Sequence, residues 1–247
     1  YNAIALGFDF VYDNVTYTSI SVAENGFLAM GNEVITQNLP ISASAGTNNL
    51  VAALSRDIIA QTDGQIMYLL SGTAPERVFT VQWKNFRRVP TAASGDIINF
   101  QIQLHEGTNE VIFCYGNVTV SLISTAQTVQ VGMRGADNTD FNNRTTTSDW
   151  TATEAGTANN NSCRINNTVY PPLGLTFTFT PVQQGNPPMP AQNPQPAHQA
   201  SAVNPGTALS WITGGGAPTG YKVYLGTNNP PTNIANGTVV TATTYIP

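Results

Sequence analysis

Charged side chains are scarce in this sequence. Lys, Arg, Asp and Glu make up 9% of its 247 residues, whereas about 25% is usual for a soluble domain. Nine basic and 14 acidic residues give a net charge of −5. This balance leaves no broad cationic face for phosphate groups, so we expect no nucleic acid partner. No run of about 18 apolar residues occurs, so we expect no transmembrane segment.

Groups that exchange protons near neutral pH are also rare. The chain has two histidines. From Ile165 to Pro247, Lys222 is the one charged side chain and His198 is the one imidazole. General acid–base catalysis depends on such groups. We therefore expect a protein that is not an enzyme, and a stand-alone hydrolase is the least favoured function.

One pair of carboxylates is a candidate for catalysis. Glu106 and Glu110 flank a predicted turn, with His105 next to them, and glycosidases use two carboxylates across a cleft. A hairpin tip is convex, however, and charges at a turn commonly serve solubility. The ordinary solubilising role is favoured.

The sequence is rich in residues that suit strands and turns, with 32 Thr and 26 Asn. Apolar residues alternate with polar ones along Ile98–Leu104 and again along Val111–Tyr115, and a Gly-containing link separates the two stretches. This pattern predicts a β-hairpin with one buried face. The same alternation occurs at Ile4–Phe10, Phe79–Trp83 and Leu175–Phe179. We predict an all-β fold, an antiparallel β-sandwich of jelly-roll or immunoglobulin-like type.

Composition also divides the chain. Residues 1–180 form the predicted β-sandwich domain. Residues 181–198 are rich in Pro, Gln and Asn, a composition typical of an extended linker. Residues 199–247 contain three further strand-like stretches, at 209–211, 221–225 and 238–244, and form a second module.

The second module resembles part of a fibronectin type III module. The resemblance lies in NPGTALSWITGGGAPTGYKVYLGTNNPP, where Trp211 would be a core tryptophan and Tyr221 and Val223 would lie on the next strand. Such a module is longer than the residues that remain here. We expect a partial module, because the chain is a fragment or because a partner supplies strands by β-augmentation.

The first domain resembles a β-sandwich of bacterial surface and secreted proteins that are exported by the type IX secretion system. The stretches ERVFTVQWKNFRR, DIINFQIQLHEGTNEVIFCYG and VGMRGADNTDFNNRTTTSDW carry this resemblance. It implies an extracellular or cell-surface location and a non-catalytic role in adhesion, surface structure or filament assembly. Other surface proteins, or further copies of the chain, are the expected partners.

The alternative function is an accessory carbohydrate-binding module of a secreted polysaccharide-degrading enzyme, with a glycan as partner. Sugar-binding faces use exposed aromatic rings, and four aromatic residues are candidates for such a face. Packing in the core or at a sheet edge is the competing role for each of them. These candidates are Tyr12, Tyr17, Tyr68 and Trp150.

Cys114 and Cys163 are the two cysteines. An even count in an exported chain favours a disulfide, and closing a loop of this length would stabilise the fold by about 4 kcal/mol in the chain-entropy model. The alternative is one thiol on a strand and one in a loop. Neither cysteine has a neighbouring His or a CxxC partner, so no redox role is expected.

An oxygen-rich cluster lies in the stretch GADNTDFNN. Its candidate ligands for calcium are Asp137, Asn138, Asp140 and Asn142. Calcium takes six to eight oxygen ligands, but the spacing does not match an EF-hand loop. Asp and Asn also occupy turns because they bond to their own backbone. A structural loop is the favoured interpretation, with a calcium site as the second.

The basic residues form one cluster, with Lys84, Arg87 and Arg88 close together. In a net-acidic domain, these cations are typical of a strand end that faces solvent.

Overall fold

Almost all of the regular secondary structure consists of strands, which confirms the all-β prediction. The computed structural model describes residues 1–35, 40–43, 47–89, 95–122, 127–181, 188–216 and 218–247. They form two units, Tyr1–Pro181 and Val182–Pro247. Residues 182–187 of the predicted linker lie outside the described residues, and Gln192–Gln195, predicted as linker, form a strand of the second unit.

The described residues of the first unit contain thirteen strands. In chain order they are β1 (Ile4–Tyr12), β2 (Val15–Ala23), β3 (Phe27–Met30), β4 (Leu50–Ser55), β5 (Ile58–Ser71), β6 (Val78–Arg88), β7 (Ile98–His105), β8 (Val111–Tyr115), β9 (Gln127–Arg134), β10 (Phe141–Thr145), β11 (Glu154–Gly156), β12 (Cys163–Ile165) and β13 (Thr176–Phe179). A 3₁₀ turn spans Trp150–Ala152.

Two antiparallel sheets result. Sheet A has the order β1-β2-β3-β4-β9-β10-β11, and β12 also pairs with β9. Sheet B has the order β13-β8-β7-β6-β5. The predicted hairpin is β7–β8, and its turn contains Gly107 at a φ of +78°. A side chain is disfavoured in that left-handed conformation, which suits glycine.

The main core lies between the two sheets. The alternating residues of β1, β6 and β7 supply one buried face each, as predicted, and they join residues from most other strands in a single cluster. Trp83 lies on β6 of sheet B and is fully buried. Its indole N–H donates to the carbonyl oxygen of Ala23 in sheet A at 3.1 Å, and its ring stacks on Phe100 with a centroid distance of 4.9 Å. Trp83 therefore connects the two sheets by packing and by a hydrogen bond.

A second, smaller core covers the other face of sheet A. Phe27, Leu50 and Phe141 pack there with Ile41. Arg134 is buried, and its Nη1 donates to the carbonyl oxygens of Ile41 and Ala43 at 2.8 Å each. β3 and β4 are consequently buried on both faces and lack the alternation of a half-exposed strand.

Arg88 is fully buried, so the expectation that it faces solvent is wrong. Its Nε lies 2.6 Å from Oδ2 of Asp96, and Nη2 lies 3.1 Å from Oδ1. The amide of Ser121 donates to Oδ1 of Asp96 at 2.7 Å, and its carbonyl accepts from Arg88 Nη2 at 2.8 Å. A buried charge is tolerated when it is paired and hydrogen-bonded; of the Arg88 nitrogens, Nη1 has no hydrogen-bond partner in the described part of the chain. The pair joins the end of β6 to the start of β7 and to the segment after β8.

The second unit contains β14 (Gln192–Gln195), β15 (Leu209–Ile212), β16 (Tyr221–Leu225), β17 (Ala235–Val240) and β18 (Thr244–Tyr245). They form a three-stranded sheet, β14-β15-β18, and a two-stranded sheet, β16-β17. Trp211 and Tyr221 meet edge to face with a centroid distance of 5.3 Å. Val223 and Ala235 are its buried apolar residues among those described.

Among the described residues, no helix has the length and apolar character needed to cross a bilayer.

We predict that Asp96→Asn lowers the free energy of unfolding of the first unit by about 3 kcal/mol or more at pH 7, because it leaves the buried Arg88 guanidinium without an anion. Urea denaturation measures this change. In a second, partly exposed pair, Arg77 Nη2 lies 2.6 Å from Glu106 Oε1. We expect a smaller loss for Glu106→Gln, since water reaches that pair. Equal losses in the two variants would contradict the prediction.

We also predict that the contribution of the Arg88–Asp96 pair to the stability of the first unit depends on pH. Burial alone raises the pKa of Asp96, but the hydrogen bonds from Arg88 and from the Ser121 amide outweigh it and leave the pKa below its usual value. The carboxylate therefore stabilises the fold fully above its unfolded-state pKa of about 3.9, and this contribution is lost as the pH falls through the lower folded-state pKa. Urea midpoints of the wild type and Asp96→Asn should converge in that acidic range.

Candidate functional site

The two cysteines are free thiols in the structure, so the predicted disulfide is not formed in it. The reason is the pleat of sheet B. Cys114 lies on β8 between the core residues Phe113 and Tyr115 and therefore faces away from the core. Cys163 on β12 is fully buried in the core. A disulfide requires Cβ atoms within about 4.5 Å of each other, whereas Cys163 lies in the core on a strand that pairs with sheet A, and Cys114 lies on the outer face of sheet B.

Both thiols are poorly suited to nucleophilic chemistry. Burial raises the pKa of Cys163 to about 12, and it also raises the pKa of Cys114. The thiolate is the reactive form of cysteine. The structure therefore gives Cys163 the character of a core packing residue and leaves Cys114 half-buried on the outer face of sheet B.

The candidate calcium loop connects β9 to β10, and its side chains point in several directions. Oδ1 of Asp137 accepts from the amide and the hydroxyl of Thr139, both at 2.7 Å. Asn142 is exposed on β10, beside the buried Asn143. Asp140 and Asp13 both lie beside Gly135. Asp13 is not among the calcium ligands predicted from the sequence.

Calcium needs six to eight oxygens. Within the described part of the chain, no group of three or more His, Cys, Asp or Glu side chains is arranged to hold a metal ion. The contacts of Asp137 are those of a local turn, which agrees with the structural loop that the sequence favours. Calcium binding by Asp137, Asn138, Asp140 and Asn142 stays a prediction.

The carboxylates at the β7–β8 turn make structural contacts. Glu106 forms a bidentate ion pair with Arg77, with distances of 2.6 and 2.7 Å. Oε1 of Glu110 accepts from the hydroxyl of Thr180, which directly follows β13, at 2.9 Å. The two glutamates thus anchor the turn to different neighbours.

The most unusual surface of the first unit is the outer edge of sheet B. β5 is the last strand of this sheet, and its residues Gln65–Ser71 pair regularly with Lys84–Val78 of β6. We call Gln65–Ser71 the edge segment. Gly64 precedes it, and Gly72, with a φ of +83°, follows it.

The edge segment contains five consecutive large apolar residues. Four of them are exposed, with Tyr68 at 58% and Leu69 at 64%. They are Met67, Tyr68, Leu69 and Leu70, and Ile66 is partly buried. A contiguous apolar surface on a soluble domain marks an interaction site.

Both faces of the strand contribute to this surface. Tyr68 and Leu70 pair with the core residues Val81 and Phe79, and the ring of Tyr68 stacks on Phe79 with a centroid distance of 5.7 Å. Met67 and Leu69 lie on the opposite face. Of the four aromatic candidates, Tyr68 is exposed, whereas Tyr12 and Trp150 are buried.

The other outer strands of the sandwich are irregular or short. β1 has an irregular register between Ala5 and Phe10, and its Val11 amide donates to the Asn109 side chain at 2.8 Å. β13 has four residues and β11 has three. Short strands, bulges and charges are the usual protection against edge-to-edge pairing, and the edge segment has none of them.

A polar cavity of about 450 Å³ lies elsewhere on the first unit. Ser55 at the end of β4 lines one side together with Arg56 and Asp57, and Thr128 and Gln130 of β9 line another. Nη1 of Arg56 donates to the Thr128 carbonyl at 2.8 Å, and burial lowers the pKa of Arg56. The buried Ser55 Oγ makes no hydrogen bond within the described part of the chain.

Sequence reasoning missed the edge segment as a site. The signal in the sequence is the stretch from Gly64 to Gly72, where five apolar residues occur without polar alternation and without charge. Such a stretch is expected for a strand buried on both faces. Its place at the end of sheet B is a property of the tertiary structure, and it leaves the same residues exposed.

We predict that Cys163 stays unmodified when the native protein is treated with iodoacetamide at pH 8 without reductant, because burial protects this thiol and raises its pKa. The half-buried Cys114 should react, but more slowly than a fully exposed thiol, since its pKa is also raised. In denaturant, both should alkylate. Intact mass spectrometry measures the number of adducts. Failure to alkylate in denaturant until a reductant is added would show a disulfide and contradict the structure.

Comparison with known proteins assigns the first unit to a family. The NIDO-related family matches residues 1–181, which is the extent of the sandwich. No curated protein and no solved structure matches the chain. The resemblances of the second module to fibronectin type III and of the first domain to type IX cargo stay predictions. The chain belongs to the NIDO-related family, whose domain is an extracellular, nidogen-like type of module.

Proposed function

We propose that this chain is a non-catalytic module of a cell-surface or secreted protein, and that it serves adhesion, surface structure or filament assembly by binding another protein strand. The observation that carries the proposal is the exposed, uncharged edge segment Gln65–Ser71. An extended partner can add a strand to such an edge, where main-chain hydrogen bonds supply affinity and alternate side chains supply specificity.

The low charge of the chain supports this role. Between Gly64 and Pro75 there is no charged residue, so a partner strand meets neither repulsion nor the cost of burying a charge there. Exposed apolar side chains on both faces of β5 would lose contact with water on pairing, which favours association.

We predict that beads coated with the full chain attach to a surface coated with extracellular protein from the producing cells, and that Leu69→Asp lowers this attachment at least about tenfold, because the charge would be buried by the partner strand. Bead counting under flow measures the effect. Leu173→Asp is the matched control, since Leu173 is also exposed, at 77%, and lies away from β5. Attachment that is absent, or equal in the two variants, would refute the proposal.

The alternative function, an accessory carbohydrate-binding module, is favoured by a different observation. The cavity beside Arg56 is lined by hydroxyl, amide, guanidinium and carboxylate groups, which are the groups that bond to sugar hydroxyls. Its volume is within the range of small-ligand sites, about 300–1,000 Å³.

A glycan array separates the two functions. Under the carbohydrate alternative, the chain binds specific glycans, Arg56→Ala removes this binding, and Leu69→Asp leaves it unchanged. Under the favoured proposal, the array shows no glycan whose binding depends on Arg56, and protein attachment depends on Leu69.

A further inference from the structure

We propose that the partner of the edge segment is the same segment in a second copy of this chain. The two strands would pair antiparallel about a two-fold axis at Tyr68, and the two B sheets would become one continuous sheet. This inference rests on the proposed function, because it names the partner of the strand-binding edge.

The first argument is the order of residues along the strand, which is chemically the same in both directions. From Gly64 to Gly72 the sequence is Gly-Gln-Ile-Met-Tyr-Leu-Leu-Ser-Gly. A two-fold axis requires that residue i meets residue j when residue j meets residue i. With the axis at Tyr68, each residue meets one of its own kind.

The resulting pairs are well matched. Tyr68 meets the second copy's Tyr68, and Met67 meets the second copy's Leu69. Ile66 meets Leu70, and at the ends a glutamine meets a serine. Directly opposed apolar and aromatic side chains are the units that stabilise antiparallel sheets. A chain unrelated to this one would have to match the same order by chance.

The second argument is the position of the charges. The nearest charged residues along the chain are Asp63 and Glu76. In the proposed register Asp63 meets Thr73, so no like charges oppose each other. This matters because the whole chain carries a net charge of −5, and two acidic copies would repel each other at an acidic contact.

The third argument is the regular backbone of the edge segment. The pairing of β5 with β6 is irregular between Ala60 and Gln65 but continuous from Gln65 to Ser71. In the described part of the chain, no other strand pairs with the outer side of β5. The regular stretch therefore coincides with the palindromic one, and seven residues of unpaired edge are available to a copy of themselves.

The register can be tested by exchanging charges. Met67→Lys alone and Leu69→Asp alone each place a charge against an apolar residue of the second copy. In the double variant Met67→Lys/Leu69→Asp, the lysine of each copy meets the aspartate of the other at two symmetric positions. A different register would not bring these two residues together.

Sedimentation velocity of the full chain over a concentration series measures the dimer Kd. We expect a dimer for the wild type, a Kd raised at least about tenfold in either single variant, and recovery to within about threefold of the wild type in the double variant. Leu173→Asp is the control for a surface charge and should leave the Kd unchanged. Circular dichroism of each variant confirms that the strands are retained.

A wild type that stays monomeric at high micromolar concentration would overturn the inference, as would a double variant that stays as weak as the single ones. The proposed function is tested separately by bead attachment. If Leu69→Asp removes attachment while the wild type is monomeric, the partner is another protein and the proposed function stands. If Leu69→Asp changes neither measurement, both fail.

Discussion

The contact between the two sheets at Trp83 is the interaction on which the rest of the first unit depends. The indole ring lies on β6 of sheet B, is stacked on Phe100, and donates its N–H to the carbonyl oxygen of Ala23 in sheet A. This bond crosses the sandwich and satisfies a polar atom that would otherwise be buried without a partner. The alternating residues of β1, β6 and β7 surround it. Their burial fixes the register, because a shift by one residue would place every apolar side chain on the wrong face.

The scarcity of charge gives the few buried charges a clear structural role. Arg88 and Asp96 pair at the point where β6 and β7 meet the segment after β8. Arg134 holds the segment that covers the other face of sheet A through two backbone carbonyls. In both places a guanidinium group joins segments that are distant in sequence, because its several donors reach more than one carbonyl or carboxylate.

The same architecture explains why one edge stands out. A sandwich of two open sheets has outer strands, and natural domains shorten them, bend them or give them charge. β1 and β13 follow this rule. β5 departs from it over Gln65–Ser71, where a long, regular and uncharged strand is left exposed. A departure from the usual protection of edges is expected where a protein binds a partner, and this is the basis of the assembly role proposed for the NIDO-related module.

Much of the fold was accessible from local sequence, because alternation along a strand depends on neighbours two residues apart. The hairpin at Ile98–Tyr115 and the faces of β1 and β6 follow from that rule. The sequence by itself thus determined the all-β class and the buried faces. Only the tertiary structure decided that Arg88 is buried against Asp96, that Cys163 lies in the core while Cys114 faces away from it, and that β5 lies at the edge of sheet B. These properties depend on which distant strands become neighbours, and alternation along one strand carries no information about that.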